Sequence, residues 1–381
     1  MARRGENIFR RKDGRWEARV AEYRENGKRA YRSLYGKTYT EVKTKKAAYC
    51  AFRSVCGAPA ERRAAAFSWL AERWLASVKG AVKESTFTRY HRTVHTALIP
   101  AFGGCAVAEL DTQAVDRFKE RLLTVGGKCG TGLSEKTVTD ILSVLKQILT
   151  HATETGYPTL NTHLIRNPRR KKREIPIIPQ AQLERMETLL LGSEGELSLG
   201  ILLTLHTGIR IGELCGLRWG DLCFSAKAVR IRRTVERITD LDPHRAAKTK
   251  VTVSEPKTAS SEREIPLPSA LCDYLQARCG SPETYLLTGT DEPSEPHTLY
   301  VRYKRFLRRN GFEDYTFHAL RHTFATRGVE AGFDVKSLSE ILGHSDVTTT
   351  LRCYVHPSTE QKRRQMELLF DAAVRGQKYS Q

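Results

Sequence analysis

The sequence predicts a multidomain α+β protein: a small three-stranded β-sheet, an all-helical domain and a larger mixed, mainly helical domain. Three observations support this. Residues 1–46 read as short strands with turn signals between them, residues 67–165 carry apolar groups at helical spacing, and strands interrupt helices beyond residue 180. A chain of 381 residues also exceeds one ordinary core. We place the domains at 1–56, 64–166 and 174–381.

Charge indicates a protein that binds a polyanion. The chain has 63 Lys and Arg against 43 Asp and Glu, a net charge of +20, and residues 1–64 hold 18 basic and 7 acidic groups. This uneven load favours nucleic acid over an anionic membrane, because no amphipathic anchor accompanies it. The sequence shows neither a signal peptide nor a membrane-length apolar run, so we expect the cytoplasm. Nine cysteines without a CxxC pair disfavour disulfides and zinc.

The first domain reads as a three-stranded antiparallel meander followed by a helix. Lys12-Asp13-Gly14 and Asn26-Gly27 are turn signals, and "TEVKTKKAAYCAFRSV" has helical character. Arginines and aromatics at alternate positions can place one face of the sheet in a DNA groove. The alternative is a solvated face whose aromatics belong to the core. The candidate DNA-binding residues are Arg15, Arg19, Arg24 and Arg32.

The second domain should contain four amphipathic helices between residues 67 and 165. Ser85 and Ser134 are candidate helix caps, Gly156 is a candidate stop, and the second helix should end near Pro100. Its polar side carries three candidate DNA-binding residues, although a plain solvated face is the alternative: Arg89, Arg92 and Lys136. Five consecutive basic residues then form a linker that can cross phosphates, beginning with Arg169 and Arg170.

The third domain carries a cluster of phosphate-binding groups. Arg210 opens a helix after Thr207-Gly208, and Glu213 lies at i+3, where it can hold that arginine. His318, Arg321 and His322 stand at i, i+3 and i+4 of another helix, so they can face one way. Gly343 should end a further helix and place His344 on a tight turn, and Tyr354 follows. Strands "FSAKAVRIRRTVERI" and "REIPLP" flank a polar connection with Lys248, Lys250 and Lys257.

These residue types suit attack on a phosphodiester. Two guanidinium groups, Arg210 and Arg321, can clamp the non-bridging oxygens with paired hydrogen bonds. His318 and His344 can donate hydrogen bonds or move protons, and Tyr354 can attack phosphorus. A phosphotyrosine conserves the ester energy, so we expect no nucleotide cofactor. No carboxylate cluster suited to a divalent metal accompanies these residues, so we expect no metal.

The motifs "HTGIRIGEL", "HALRHTFAT", "LGHSDVTTT" and "CYVH" occur in this order, with His344 23 residues after Arg321 and 10 before Tyr354. On these motifs the third domain closely resembles the tyrosine recombinases, or phage-integrase family. The resemblance implies that the catalytic residues are Arg210, Lys257, His318, Arg321, His344 and Tyr354. Lys257 would be the general acid on the leaving 5′ hydroxyl, with Lys248 and Lys250 as alternatives. Glu213 and His322 look like supporting partners of these residues.

The other two domains extend the resemblance. Residues 67–165 are similar to the family's SAM-like core-binding domain, which clamps the crossover site. The first 46 residues resemble the arm-binding domain of integrases from conjugative transposons and Gram-positive phages. The family then implies double-stranded DNA with core and arm sites, a homotetramer on two duplexes, and a directionality factor of the excisionase type. The tail after Tyr354 would pack on a neighbouring subunit.

The resemblance implies an integrase that integrates or excises a mobile element through a 3′-phosphotyrosyl intermediate. An Xer-like or transposon-resolving recombinase is the first alternative, which the N-terminal extension disfavours. A type IB topoisomerase, which relaxes DNA without sequence preference, is a second alternative. A non-catalytic DNA-binding protein is a third, although the clamp arginines and Tyr354 are all present.

Overall fold

The protein is described by a computed structural model, in which the chain divides into two compact units, Met1–Lys172 and Arg173–Gln381. The structure describes residues 7–11, 13–23, 29–56, 60–127, 130–169, 176–242, 244–245, 247–254, 262–344, 346–354, 363, 366–367 and 370. In this part of the chain, no helix is both long and apolar enough to cross a membrane.

The first unit begins with the predicted three-stranded meander. Strands β1 (Ile8–Arg10), β2 (Trp16–Tyr23) and β3 (Arg29–Gly36) pair antiparallel in that order, and α1 (Tyr39–Cys56) follows. Helix α1 covers one face of the sheet, and Trp16 meets Tyr39 edge to face at 5.2 Å between ring centroids. The predicted Asn26-Gly27 turn lies outside the described residues.

The rest of the first unit is helical, as predicted. After the short α2 (Ala60–Arg63), the helices are α3 (Phe67–Val78), α4 (Glu84–Thr93), α5 (Ile99–Phe102), α6 (Thr112–Val125) and α7 (Glu135–Glu154). They enclose one apolar core, to which α7 contributes a fully buried stripe: Leu142, Leu145, Ile148 and Leu149. That stripe has the helical spacing that the sequence showed.

The second predicted helix of this unit ends near Pro100, as expected, but its predicted cap is wrong. A π-helical segment, Val94–Leu98, joins α4 to α5, and the last helical residue is Phe102. Pro100 lies in the first turn of α5, where a missing N–H is tolerated. Lys83 rather than Ser85 is the N-cap of α4, because the helix starts at Glu84, whose negative charge suits a helix N-terminus. The Ser134 cap is confirmed by its bond from the Thr137 N–H at 3.2 Å.

The second unit is mixed and mainly helical, which confirms the predicted fold class. Its helices are α8 (Gln180–Leu191), α9 (Glu196–Thr207), α10 (Ile211–Cys215), α11 (Ser269–Gln276), α12 (Pro296–Arg309), α13 (Phe317–Glu330), α14 (Val335–Leu342) and α15 (Val347–Tyr354). Its strands are β4 (Leu222–Cys223), β5 (Ala228–Ile231), β6 (Thr234–Thr239), β7 (Thr249–Ser254) and β8 (Arg263–Pro266). Helix α9 is apolar on nearly every side and lies within the main core, packed against α13.

The strands of this unit depart from the prediction in two ways. The expected long strand is divided at Arg232-Arg233 into β5, which belongs to the sheet β4-β5-β8, and β6. The expected polar connection contains another strand, β7, which pairs with β6 in a separate two-stranded sheet. β-Branched residues meet across this pair, as at Val235 and Val253, and they favour strand over loop.

Candidate functional site

Arg210 is fixed at the junction between α9 and α10. Helix α9 ends at Gly208, whose φ of +64° suits glycine and whose added Cβ would lie 2.5 Å from the Phe324 ring. Arg210 is then the N-cap of α10, and its N–H donates to Glu213 Oε2 at 2.9 Å. Its Nη1 donates to Glu213 Oε1 at 2.7 Å, and its Nη2 donates to the Gly343 carbonyl at 3.0 Å. Its side chain remains 40% exposed, so it can still meet a ligand.

Arg321 reaches the same place from α13. This residue is 1% exposed, its Nη1 donates to the Gly208 carbonyl at 2.7 Å, and its Nη2 donates to the Leu342 carbonyl at 2.8 Å. Arg210 and Arg321 therefore hold consecutive carbonyls, those of residues 343 and 342. This common anchor places the two predicted clamp arginines side by side.

The end of α14 collects these cations. Gly343 ends α14, as predicted, and adopts a left-handed conformation with φ +64°. The last carbonyls of a helix lack intrahelical donors and carry its negative partial charge, so they suit guanidinium groups. A third arginine joins them: Arg263 at the start of β8 donates from Nε to the Ile341 carbonyl at 2.6 Å. Three successive carbonyls are thus each held by a different arginine.

Sequence reasoning missed Arg263. It contacts Glu213 through two bonds, Nη1 to Oε1 at 3.1 Å and Nη2 to Oε2 at 2.9 Å, and its side chain is only 7% exposed. The signal available was the arginine that opens the strand "REIPLP" in a motif already assigned to the site. Fifty residues separate it from Glu213, so no local spacing rule relates the two.

Glu213 is the carboxylate shared by two of these arginines. Burial by itself raises its pKa, but the hydrogen bonds and charges of Arg263 and Arg210 outweigh burial and hold the pKa below its usual value. Glu213 therefore stays ionised and oriented at neutral pH. The expected contact between Glu213 and Arg210 is present.

His344 links this cluster to α15. Its Nε2 lies 2.9 Å from Arg321 Nη2, and its Nδ1 lies 2.8 Å from Thr350 Oγ1 on α15. Burial first, and then the charges of Arg321, Arg210, Arg263 and His318, lower the pKa of His344 to about 4. The ring is neutral at pH 7. Because arginine can only donate, Nε2 accepts, and Nδ1–H donates to Thr350.

The other two histidines of α13 differ in exposure. His322 is buried, and burial lowers its pKa. His318 reaches solvent, yet partial desolvation within the site, followed by the charges of Arg321, His322 and Arg210, lowers its pKa. His318 is therefore a neutral imidazole at pH 7 that an incoming ligand can reach.

Tyr354 can be placed only in part, and Lys257 lies outside the described residues. Tyr354 is the last residue of α15, four positions after Thr350, so its backbone lies about one helical turn from the hydroxyl that holds His344. Its side chain lies outside the described part of the structure, as does Lys257, between β7 and β8. The two alternatives to Lys257 lie in or next to β7. Lys250 is part of β7 and pairs with Ile238 of β6. Lys248 lies just before β7, and its carbonyl accepts from the Asp240 N–H at 3.0 Å.

The N-terminal sheet separates some of the arginines expected on one face. Arg19 lies opposite Ser33 and donates to Glu17 Oε1 at 2.9 Å on the open face. Arg15 lies over the Tyr35 ring at 5.6 Å and pairs with Asp13. Neighbouring residues of a strand point to opposite faces.

Arg32 does not share the face of Arg19. It lies over the Tyr49 ring of α1 at 5.0 Å, on the side that the helix covers. Trp16 also belongs to that side, since it packs on Tyr39. The expectation that these arginines share one face of the sheet is therefore wrong for Arg32, because strand register decides the face. Arg24 lies outside the described residues.

In the helical domain, a cleft of about 680 Å³ brings some of the predicted residues together. Arg89 and Arg92 line it, with Arg121 from α6, which sequence reasoning missed, and with an apolar floor that includes Leu122 and Ile141. Lys136 is exposed beside it and pairs with Asp140 at 3.0 Å. Arg169 is exposed, and Arg170 lies outside the described residues.

Among the described residues, no group of three His, Cys, Asp or Glu side chains could hold a metal ion. The described contacts of the site arginines are ion pairs and hydrogen bonds to other groups of the protein. The site as described contains three arginines around one carboxylate, together with neutral imidazoles, so its net charge is positive. Such a cluster suits an anion that gains negative charge.

Two family models match the chain. The model described as the phage integrase family matches residues 176–361, and the phage integrase N-terminal SAM-like domain matches residues 66–123. The first match contains every predicted catalytic residue, and the second lies within the helical domain.

Curated relatives extend the similarity over most of the chain. A "Tyrosine recombinase XerC-like" protein of Caldanaerobacter subterraneus subsp. tengcongensis is 30% identical over 92% of this chain and 94% of its own length. The transposase of transposon Tn916 from Enterococcus faecalis is 27% identical over 44% of each chain.

Solved structures show the same fold. The integrase of transposon Tn1549, solved with a circular intermediate DNA, has a TM-score of 0.66 at 23% identity and covers 80% of this chain and 99% of its own. A lambda integrase dimer bound to a COC′ core site has a TM-score of 0.56 at 17% identity and covers 93% and 96%.

Proposed function

Since the chain belongs to the phage integrase family, the tyrosine recombinases, we propose that it integrates and excises a mobile DNA element through a covalent bond to Tyr354. As a tyrosine recombinase it is an enzyme of site-specific recombination, which cuts and rejoins DNA strands. The proposal covers the catalytic residues, the DNA sites that the enzyme joins and the partners of the enzyme.

One observation carries the assignment of the site. Arg210 and Arg321 come from different helices and are anchored on consecutive carbonyls at the end of α14. Two fixed guanidinium groups side by side match the two non-bridging oxygens of a phosphodiester. The same α14 end carries His344, which binds the helix that ends in Tyr354.

The reaction follows from this arrangement. The Tyr354 oxygen attacks phosphorus, and the bond from phosphorus to the 5′ oxygen breaks, which leaves a 3′ phosphotyrosine. His318, which is neutral and reachable, accepts the phenol proton, and Lys257 protonates the leaving 5′ oxygen. Arg210 and Arg321 stabilise the charge that develops on the phosphoryl oxygens. Attack by the 5′ hydroxyl of the partner strand reverses these steps and joins the two DNA molecules.

The same proposal assigns DNA surfaces in the first unit. The arginine-lined cleft, with Arg89, Arg92 and Arg121, contacts the duplex at the core site, since guanidinium groups above an apolar floor suit a phosphate backbone. The open face of the N-terminal sheet, with Arg15 and Arg19, contacts arm sites. We place domain borders at 1–56, 64–166 and 174–381, each domain meeting DNA separately.

The assembly and its regulation extend the proposal. The enzyme acts as a homotetramer on two duplexes, and a small directionality factor of the excisionase type favours excision. It works in the cytoplasm, where the bacterial or phage DNA lies. An Xer-like recombinase that resolves replicons is the second candidate, because the XerC-like relative matches over 92% of the chain. The two candidates differ in their DNA substrates: an integrase recombines the ends of the element, whereas an Xer-like recombinase acts between sister replicons.

The decisive experiment traps the covalent intermediate. A suicide duplex nicked next to the crossover loses its 5′ hydroxyl after cleavage and leaves the protein attached to DNA. Wild-type protein should form this adduct, and peptide mapping should place the phosphate on Tyr354. Tyr354→Phe should form none, while Tyr300→Phe, a partly buried tyrosine of α12, should behave as wild type. An adduct that persists in Tyr354→Phe would refute the assignment.

A further inference from the structure

The buried arginine at the start of β8 has no role in the mechanism above. Arg263 donates to Glu213 through both terminal nitrogens and to the Ile341 carbonyl through Nε. Its side chain is 7% exposed, whereas that of Arg210 is 40% exposed. All three guanidinium nitrogens of Arg263 donate to protein groups, whereas the exposed Arg210 can also meet a substrate oxygen, which makes Arg263 a candidate for positioning rather than for contact.

Glu213 stands between the two arginines. Its Oε1 accepts from Arg210 Nη1 and Arg263 Nη1, and its Oε2 accepts from the Arg210 backbone N–H and Arg263 Nη2. A carboxylate has about four lone-pair sites, so these bonds saturate it. Removing the two bonds from Arg263 leaves Glu213 held by Arg210 itself, so Arg210 loses the link through Glu213 to β8 that fixes its position.

Arg263 also holds the end of α14, where Arg210 and Arg321 are anchored. Arg263 bonds to the Ile341 carbonyl. The next two carbonyls along the chain, those of residues 342 and 343, bond to Arg321 and Arg210 respectively. Gly343 leaves room for it, since an added Cβ there would lie 2.8 Å from Arg263 Nη1. The Arg263 side chain thus holds both groups that bond to Arg210, namely the Glu213 carboxylate and the end of α14.

We propose that Arg263 is a positioning residue for strand cleavage, which acts through Glu213 and the end of α14 to hold Arg210 at the phosphate. This inference rests on the proposed function, because it assumes that Arg210 meets a phosphate. A displacement of about 1 Å in a catalytic group can lower a rate about 100-fold. Arg263→Gln should therefore slow single-turnover cleavage of the suicide duplex by about that factor, with duplex affinity within about threefold of wild type.

The chain offers a matched control on the same sheet. Arg230 of β5 pairs with Glu264 of β8 at 2.7 Å, but both side chains are about half exposed. Arg230→Gln removes an arginine–glutamate pair of the same strands and should leave the cleavage rate unchanged. Arg263→Lys keeps the charge and one bond, so it should recover part of the lost rate.

A double variant separates positioning from general loss of structure. If Arg263 acts through Glu213, Arg263→Gln with Glu213→Gln should cleave about as slowly as the slower single variant. Rate losses that multiply, or a cleavage rate of Arg263→Gln equal to that of wild type, would overturn the inference.

A crystal structure of Arg263→Gln without DNA makes the test independent of the proposed function. The inference predicts a displaced Arg210 guanidinium and a broken bond to the Gly343 carbonyl. If wild-type protein cleaves no duplex but Arg210 moves in the variant, positioning stands and the proposed function fails. If wild-type protein cleaves and Arg210 stays in place in the variant, the inference fails and the function stands.

Discussion

Two buried glutamates, one in each unit, are each clamped by two arginines, and they differ in how firmly those arginines are held. Glu17 of the N-terminal sheet is 2% exposed and accepts from Arg11 Nη1 and Arg19 Nε, both at 2.9 Å. Its two arginines are 41% and 53% exposed. Each contacts the carboxylate through one nitrogen and lies over an aromatic ring, Tyr35 or Phe9.

Glu213 holds its arginines more tightly. It accepts four hydrogen bonds from Arg210 and Arg263, and each arginine has a further bond to a carbonyl at the end of α14. The difference matches the proposed tasks of the two regions. Catalysis needs guanidinium groups fixed before the charge develops, whereas contact with a DNA backbone tolerates side chains that adjust.

The largest expected effect is on the arginines that face the phosphate. Arg321→Gln should lower the single-turnover cleavage rate about 1,000-fold, as removal of one preorganised donor does elsewhere. Arg19→Gln, on the open sheet, should leave cleavage of a core-only duplex unchanged. If circular dichroism shows that Arg321→Gln is folded and its cleavage rate lies within tenfold of wild type, the proposed difference between the site arginines and the sheet arginines is contradicted.

The next effect compares the two glutamates directly. Glu213→Gln should lower the cleavage rate about 100-fold, since it releases Arg210 from its anchor. Glu17→Gln should leave that rate unchanged and alter affinity for arm-site DNA by less than about fivefold, because its two arginine partners are about half exposed and ion pairs of such side chains contribute little. The measurements are suicide-substrate kinetics and fluorescence anisotropy with arm DNA. Equal effects of the two substitutions on cleavage would remove the contrast.

A third effect concerns stability and pH. The pKa of His344 lies at about 4 in the folded chain against about 6.5 in an unfolded one, so the unfolded state binds more protons between these values. The stabilisation is complete above about pH 6.5 and is lost as pH falls toward 4. Urea unfolding from pH 7 to 5 should therefore show a smaller loss of stability in His344→Asn than in wild type.

The matched control for this prediction is His163→Asn, an exposed histidine of the first unit. It should reproduce the wild-type dependence of unfolding free energy on pH. An identical dependence in His344→Asn would show that the neutral imidazole is not maintained by its buried, cationic surroundings.

The smallest effect concerns the DNA surface of the first unit. Arg89→Gln with Arg92→Gln should reduce the slope of log affinity against log salt by about two, since each phosphate contact contributes about 0.9 to that slope. Arg117→Gln, an exposed arginine of α6 outside the cleft, should leave the slope unchanged. An unaltered slope in the double variant would remove the cleft from the DNA surface.

The sequence predicted well what depends on neighbours along the chain. The i+3 relation of Arg210 and Glu213, the left-handed Gly343 before His344, and the meander of the first domain all follow from local spacing and turn chemistry. These features need only the period of a helix or a strand.

What the sequence did not predict depends on distant residues. Arg263 meets Glu213 across 50 positions, and only the fold brings them together. The face of Arg32 depends on strand register, because a shift of one residue exchanges the two faces of a strand. The π-helical segment Val94–Leu98 was not predicted either, because no residue pattern indicates it.

The central claim is that Arg210 and Arg321 neutralise charge on the two non-bridging oxygens of the scissile phosphate. A suicide duplex with a methylphosphonate at that position lacks one of these charges. The account predicts that Arg210→Ala, and Arg321→Ala where it folds, cleave the phosphate duplex far more slowly than wild type but cleave the methylphosphonate duplex at nearly the wild-type rate. An equal deficit on both duplexes would contradict the account.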